Sequence, residues 1–133
     1  MKEKQLQDIT ALYGRLSRDD EVGGESMSIQ SQRAILGQYA KEHGFTNCQF
    51  FMDDGYSGTN FDRPAFTEMM ELVEQRRVRT IIVKDLSRLG RNYLEVGRYT
   101  EVIFPENKVR FIAITDGVDS AAGDNEFAPF KNI

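Results

Sequence analysis

The residues best equipped for chemistry are one hydroxyl and a set of guanidinium groups: Ser17 in Tyr13-Gly14-Arg15-Leu16-Ser17, with Arg15, Arg63, Arg88 and Arg91. A serine hydroxyl is too weakly acidic to ionise at neutral pH and needs an activating environment. Arginine presents a rigid fork that grips phosphate oxygens in pairs and stabilises charge in a transition state. Together they suit phosphoryl transfer. Other chemistries lack their residues. His43 is the single histidine, so no Ser-His-Asp triad is available, and Gly14-Arg15-Leu16-Ser17 is not a hydrolase elbow. Cys48 is the single cysteine, which excludes an internal disulfide and leaves no zinc-ligand spacing. No phosphate-binding or dinucleotide glycine motif is present. The expectation is a reaction with no metal and no cofactor.

Each residue alone also has an ordinary reading. A serine at a strand end commonly forms a turn or cap. Arg88 and Arg91, three apart, would share a helical face as many surface pairs do. Gln32 reads equally as a solvated helix residue, and Asp53-Asp54-Gly55 as a tight turn.

The elements that must position these groups follow from hydrophobic period. Residues 9–13 form a short, partly β-branched strand ending near Arg15; residues 48–52 form a second; residues 80–83, Thr-Ile-Ile-Val, form the strongest, with the apolar continuity of a strand covered on both faces; residues 109–114 form the last. Between them, Ile29, Leu36, Tyr39 and Ala40 mark a helix capped by Ser28 and stopped at Gly44. Asp62-Arg63-Pro64 opens a second helix with Phe66, Met69, Met70 and Val73 inward, a core stripe rather than a cofactor box. A third spans residues 93–104, with Val96, Tyr99, Val102 and Ile103 inward, halted before Pro105. Residues 19–28 read as an acidic loop, and residues 84–92 as a connection. This alternation predicts an α/β domain: a mostly parallel sheet of four to five strands with helices on both faces. Ligands of such sheets collect beyond the carboxyl ends of the strands. Arg15 and Ser17, the residue 54–63 loop, and Arg88 with Arg91 all follow strands there.

At 133 residues the chain fits one domain, and its net charge of −4 argues against a surface built to neutralise nucleic acid throughout. Locally the balance reverses: Arg76, Arg77, Arg79, Lys84, Arg88, Arg91 and Arg98 face only Asp85 and Glu95 in their segment. Such a run is often just a solvated face. With no apolar run long enough for a membrane span and no signal segment, the expected location is the cytoplasm.

The ensemble of segments resembles the catalytic domain of serine site-specific recombinases, the resolvase/invertase family. Tyr13-x-Arg15-Leu16-Ser17, Gln32-Arg33-x-x-Leu36, Asp54-x-x-Ser57-Gly58, Asp62-Arg63-Pro64 and Leu86-Ser87-Arg88-Leu89-Gly90-Arg91 follow that domain's order and spacing over nearly the whole chain. The longer loops look most like the large recombinases of transposons and phages. The resemblance implies that Ser17 attacks a DNA phosphodiester, displacing a 3′-oxygen and staying joined to the 5′-phosphate, with rejoining that needs no ATP. It implies that Arg15, Arg63, Arg88 and Arg91 surround the scissile phosphate, with Gln32, Asp54 and Ser57 supporting. One departure is visible: small resolvases usually carry Asp directly before the first arginine of R-L-x-R, where this chain has Ser87, with Asp85 two residues earlier. The implied partners are double-stranded DNA and further copies of the chain, as a dimer and then a synaptic tetramer.

Two rival readings exist. A phosphoacceptor or nucleotide-binding α/β domain would look alike at this level, but Asp53-Asp54 follows the second strand rather than the first. A catalytically idle interaction module of the same shape would not need Ser17 and its arginines. Residues 115–133 contain Gly117, Gly123, Pro129 and scattered acids and suggest no further folded element. The expectation is a catalytic domain spanning residues 1–133, cut short of the family's long oligomerisation helix and DNA-binding region.

Overall fold

A computed structural model describes residues 8–17 and 28–122. Its centre is a five-stranded sheet in the order β2-β1-β3-β4-β5. The strands are β1 (Ile9–Leu16), β2 (Cys48–Asp54), β3 (Val78–Val83), β4 (Arg110–Ala113) and β5 (Val118–Asp119). All neighbours pair in parallel except β4 and β5. The helices are α1 (Ile29–Glu42), α2 (Pro64–Glu74), α3 (Leu86–Leu89), α4 (Tyr93–Arg98) and α5 (Phe104–Glu106), with a π-helical turn, Tyr99–Ile103, fusing the last two.

Strand alternation divides the core. Ile9, Ala11 and Tyr13 of β1, with Ile81 and Val83 of β3, face Phe66, Met69 and Val73 of α2 and Val96 and Phe104 beyond it. Leu12, Ile82 and Ile112 face the opposite side and pack on Leu36 and Ala40 of α1. Because successive strand side chains point to opposite faces, an unbroken apolar run is what a doubly covered strand needs. The expected α/β sheet with helices on both faces is therefore the observed one.

Several boundaries differ from expectation. Strand β2 runs on to Asp54, carrying Asp53 into the sheet. The Ser28 cap is present, its Oγ accepting from Ser31 N at 3.0 Å, and Gly44 ends α1 with φ 75°. At α2, by contrast, Asp62 plays no capping part: the N-cap residue is Arg63, whose side chain makes no cap bond. The first-turn N–H groups of Ala65 and Phe66 instead donate to Asp53 at 2.8 and 2.9 Å. Residues 84–92 contain a short helix, α3, capped by Asp85.

The third helix passes its expected stop at Pro105. Phe104 N–H reaches back to Tyr99 O, five residues earlier, so the widened turn places Pro105 in the first turn of a new helical segment, where its missing N–H costs little. Val102, expected inward, is 46% exposed, and Thr100 is buried in its stead. Six residues past Val96, Val102 lies about 240° around a 3.6-residue helix. Strand β5 and the 3-10 turn Ser120–Ala122 lie in the segment expected to hold nothing further. Buried Val118 and a bidentate pair from Arg110 to Asp119, at 2.9 and 2.7 Å, secure them. The acidic loop, apart from Ser28, and the tail beyond residue 122 fall outside the described residues.

Candidate active site

Parallel pairing aligns the carboxyl ends of β1, β2 and β3, with Leu16 opposite Asp54 and Tyr13 opposite Val83. Ser17, buried to 6% exposure, comes directly after β1. The backbone beyond β2 folds back over this end, Gly55 N donating to Leu16 O at 2.6 Å.

Arg15 is fully buried and binds the loops rather than open solvent. Its Nε donates to Arg88 O at 3.3 Å, Nη1 to Tyr56 O at 3.1 Å and Nη2 to Ser87 O at 2.5 Å. One guanidinium thus joins β1 to the loops after β2 and β3. Gln32, also fully buried, pairs with the Arg15 backbone: its Nε2 donates to Arg15 O and its Oε1 accepts from Arg15 N, both at 3.1 Å. The ladder between β1 and β3 stops at Tyr13, and Gln32 supplies the amide that satisfies the strand beyond that point. Gly14 makes room for it. A Cβ there would sit 2.8 Å from Gln32 Oε1 and 2.6 Å from Met52 Sδ.

Arg88 lies on α3, 6% exposed, its Nη1 donating to Arg15 O at 3.2 Å and its Nε lying 3.7 Å from Asp85 Oδ2. Asp85 gathers this turn: its carboxylate accepts from Arg88 N, from Ser87 Oγ and from Lys84 Nζ. Burial alone would raise its pKa, but the Ser87 hydrogen bond and the Arg88 and Lys84 charges outweigh that and hold it below the ordinary carboxylate value. Arg91 is exposed at the rim, its N–H donating to Gly58 O at 2.7 Å. Of the remaining candidates, Ser57 accepts from Thr59 N at 3.0 Å and shapes its own loop, while Asp54 and Ser87 are exposed.

Arg63 lies beneath the rim at 1% exposure. Its Nε donates to Asn60 O at 3.0 Å, Nη1 to the Tyr13 hydroxyl at 2.8 Å and Nη2 to Leu89 O at 2.7 Å. The ring of Phe61 stacks 4.5 Å from the guanidinium carbon. Tyr13 in turn donates to Asp53 Oδ2 at 2.7 Å. Burial above all, with Asp53 adding to it and Arg63 opposing, holds this phenol well above its usual pKa, so it stays protonated.

Sequence reasoning gave Asp53 only a turn reading and named Tyr13 and Gly58 only within longer motifs, with no role of their own. The signal for Asp53 was its parity with buried Phe51 on β2, two residues apart. Gly58 is fixed by its neighbours: a Cβ would lie 2.7 Å from Arg15 Nη2 and 2.8 Å from Arg91 Cγ. Among the described residues, no group of His, Cys, Asp and Glu side chains is set to hold a metal ion, and no helix is long and apolar enough to cross a membrane.

A guanidinium-lined end of a mostly parallel sheet, with a serine directly after its interior strand β1, is the architecture of a serine recombinase catalytic domain. The sequence signature described as Resolvase, N terminal domain, matches residues 10–128, and the chain belongs to that family. Similar solved structures include the N-terminal catalytic domain of TP901-1 integrase, with 27% identity over 86% of this chain and 83% of that one and a TM-score of 0.77. A resolvase family site-specific recombinase from Streptococcus pneumoniae shares 25% identity over 95% and 85% of the two chains, with a TM-score of 0.73. The C-terminal catalytic domain of ISC1926 TnpA, an IS607-like serine recombinase, shares 25% identity over 79% and 66%, with a TM-score of 0.63. No curated protein matches the sequence.

Proposed function

We propose that this domain cleaves and rejoins double-stranded DNA through Ser17. The Ser17 oxygen attacks the phosphorus of a phosphodiester, a bond from serine oxygen to phosphorus forms as the bond to the 3′-oxygen breaks, and the 3′-oxygen leaves with a proton. The DNA 5′-end remains on Ser17 as a phosphoserine ester. Attack by a 3′-hydroxyl on that ester reverses the exchange, and because one ester replaces another, rejoining needs no ATP. Arg88 and Arg91 meet charge growing on the phosphate oxygens. Arg15 and Gln32 hold the end of β1, Asp85 holds Arg88 while Ser87 Oγ donates to the Asp85 carboxylate, Asp54 ends β2, and Ser57 belongs to the loop that follows it. The observation that carries this reading is the Arg15 guanidinium, which binds Tyr56 O, Ser87 O and Arg88 O and so ties three strand ends into one site beside Ser17.

The partners on this reading are duplex DNA and further copies of the chain, and the location is the cytoplasm. Residues 1–133 form a catalytic domain that acts together with an oligomerisation helix and a DNA-binding region. The test is covalent capture: the full-length protein is offered a pool of random-sequence duplexes, and protein-linked DNA is recovered under denaturing conditions. A DNA adduct mapping to Ser17, absent from a folded Ser17→Ala variant, supports the reading. An adduct that persists in Ser17→Ala refutes it.

A further inference from the structure

We infer that Asp53, Tyr13 and Arg63 form a buried positioning unit that sets the spacing between the Ser17 strand and the Arg88–Arg91 turn without touching DNA; this rests on the recombinase reading above. All three residues are at least 99% buried. Every nitrogen of the Arg63 guanidinium already donates to a protein oxygen: Asn60 O beyond β2, Leu89 O between Arg88 and Arg91, and the Tyr13 hydroxyl on β1. The hydroxyl passes its own proton bond to Asp53, which also receives Ala65 N and Phe66 N at the start of α2. The phenol therefore bridges a buried carboxylate and a buried guanidinium, donating to the carboxylate and accepting from the guanidinium.

Two consequences follow from this geometry. First, Arg63 is spent on the protein. A guanidinium turned toward a phosphate would have to abandon Leu89 O and Tyr13, leaving buried polar groups unsatisfied, which is costly in a low-dielectric interior. Second, the unit reaches the chemistry through backbone alone. Leu89 O lies one residue after Arg88 and two before Arg91, so the Arg63 bond fixes the turn carrying both. Tyr13 lies four residues before Ser17 on the strand that delivers it. Displacement of either end would misplace the nucleophile relative to the phosphate cluster.

A contact role and a positioning role separate when the charge on the phosphate is removed. The test uses the full-length protein and a duplex recovered by covalent capture, made with either a normal or a methylphosphonate linkage at the scissile position. Wild type, Tyr13→Phe, Arg63→Gln and Arg88→Gln are compared for single-turnover adduct formation on Ser17, for duplex affinity and for thermal stability. Tyr13→Phe and Arg63→Gln should slow adduct formation by about 10- to 100-fold, the effect of a misplacement near 1 Å, with affinity unchanged and no recovery on methylphosphonate. Arg88→Gln should be slow on phosphate and recover on methylphosphonate, because the missing cation is no longer required. Recovery of Arg63→Gln on methylphosphonate would overturn the inference while leaving the recombinase reading intact. If Arg63→Gln does not fold, the near-isosteric Tyr13→Phe decides: a wild-type rate overturns the inference, and a slowed rate at unchanged affinity supports it. A wild-type protein that forms no adduct overturns both readings.

Discussion

Gly58 lies so close to Arg15 that a Cβ at residue 58 would sit 2.7 Å from Nη2 and 2.9 Å from the central guanidinium carbon. The same Cβ would meet Arg91 Cγ at 2.8 Å. Glycine is needed here for close approach between backbone and side chain, since no left-handed φ is involved. Gly58→Ala must push Arg15 away from Tyr56, Ser87 and Arg88, or shift the loop. Overpacking of this kind typically destabilises by about 1–3 kcal/mol. Urea unfolding should show that loss, and Ser17 adduct formation should fall with it. Full activity and stability in Gly58→Ala would show that the loop yields freely.

Arg88 performs two tasks from one planar group. Its Nη1 holds Arg15 O at 3.2 Å while its Nε faces Asp85. A lysine offers a single point charge on a flexible stem and cannot satisfy Arg15 O, Asp85 and a phosphate at once. Arg88→Lys should therefore lower adduct formation by about 100-fold, the scale of losing one preorganised donor, with little change in thermal stability. Wild-type cleavage in this variant would remove Arg88 from the proposed mechanism.

Two helix ends carry side chains where glycine is favoured. Arg76 and Lys108 both have φ 60°, and the residue after each closes the turn, Arg77 N on Leu72 O at 3.0 Å and Val109 N on Phe104 O at 2.8 Å. Gly44 does the same after α1 without the steric cost. Lys108→Gly should raise stability by about 0.5–1 kcal/mol, the left-handed penalty relieved less the added freedom of the unfolded chain. An unchanged or lowered urea midpoint would count against that balance.

The sheet and its helices were legible because apolar period and turn residues act locally. The unbroken run at residues 80–83 and the spacing of Phe66, Met69 and Val73 each admit one arrangement. What escaped was the division of labour among the arginines. Sequence order places Arg15, Arg63, Arg88 and Arg91 at strand ends, yet only Arg91 is exposed and Arg63 is stacked among aromatic rings. That difference depends on Tyr13, Asp53 and Leu89, which come from three separate strands or turns. Asp53 reads as a turn residue because turn chemistry follows it at once. Its capping of α2 spans twelve or more positions, beyond the reach of a local rule.

The Asp85 carboxylate gives a pH signature. Its folded pKa lies below the ordinary value, so the interaction with Ser87, Arg88 and Lys84 stabilises the native state wherever the group is ionised in both states. That contribution is complete above the unfolded value of roughly 4 and is lost as pH falls through it toward the depressed folded value. Asp85→Asn preserves an oxygen that can accept from Arg88 N and Ser87 Oγ but carries no charge. The stability gap between wild type and Asp85→Asn should be constant from neutral pH to about 5 and close progressively below 4. Urea unfolding across that range measures it. Because the same carboxylate faces Arg88 Nε, Asp85→Asn should also slow Ser17 adduct formation at neutral pH, and moving the acid next to Arg88 in the double variant Asp85→Asn, Ser87→Asp should restore part of the rate. No restoration, with both variants folded, would show that Arg88 needs the carboxylate at residue 85 in particular; an undiminished rate in Asp85→Asn would show that Arg88 needs no carboxylate at all.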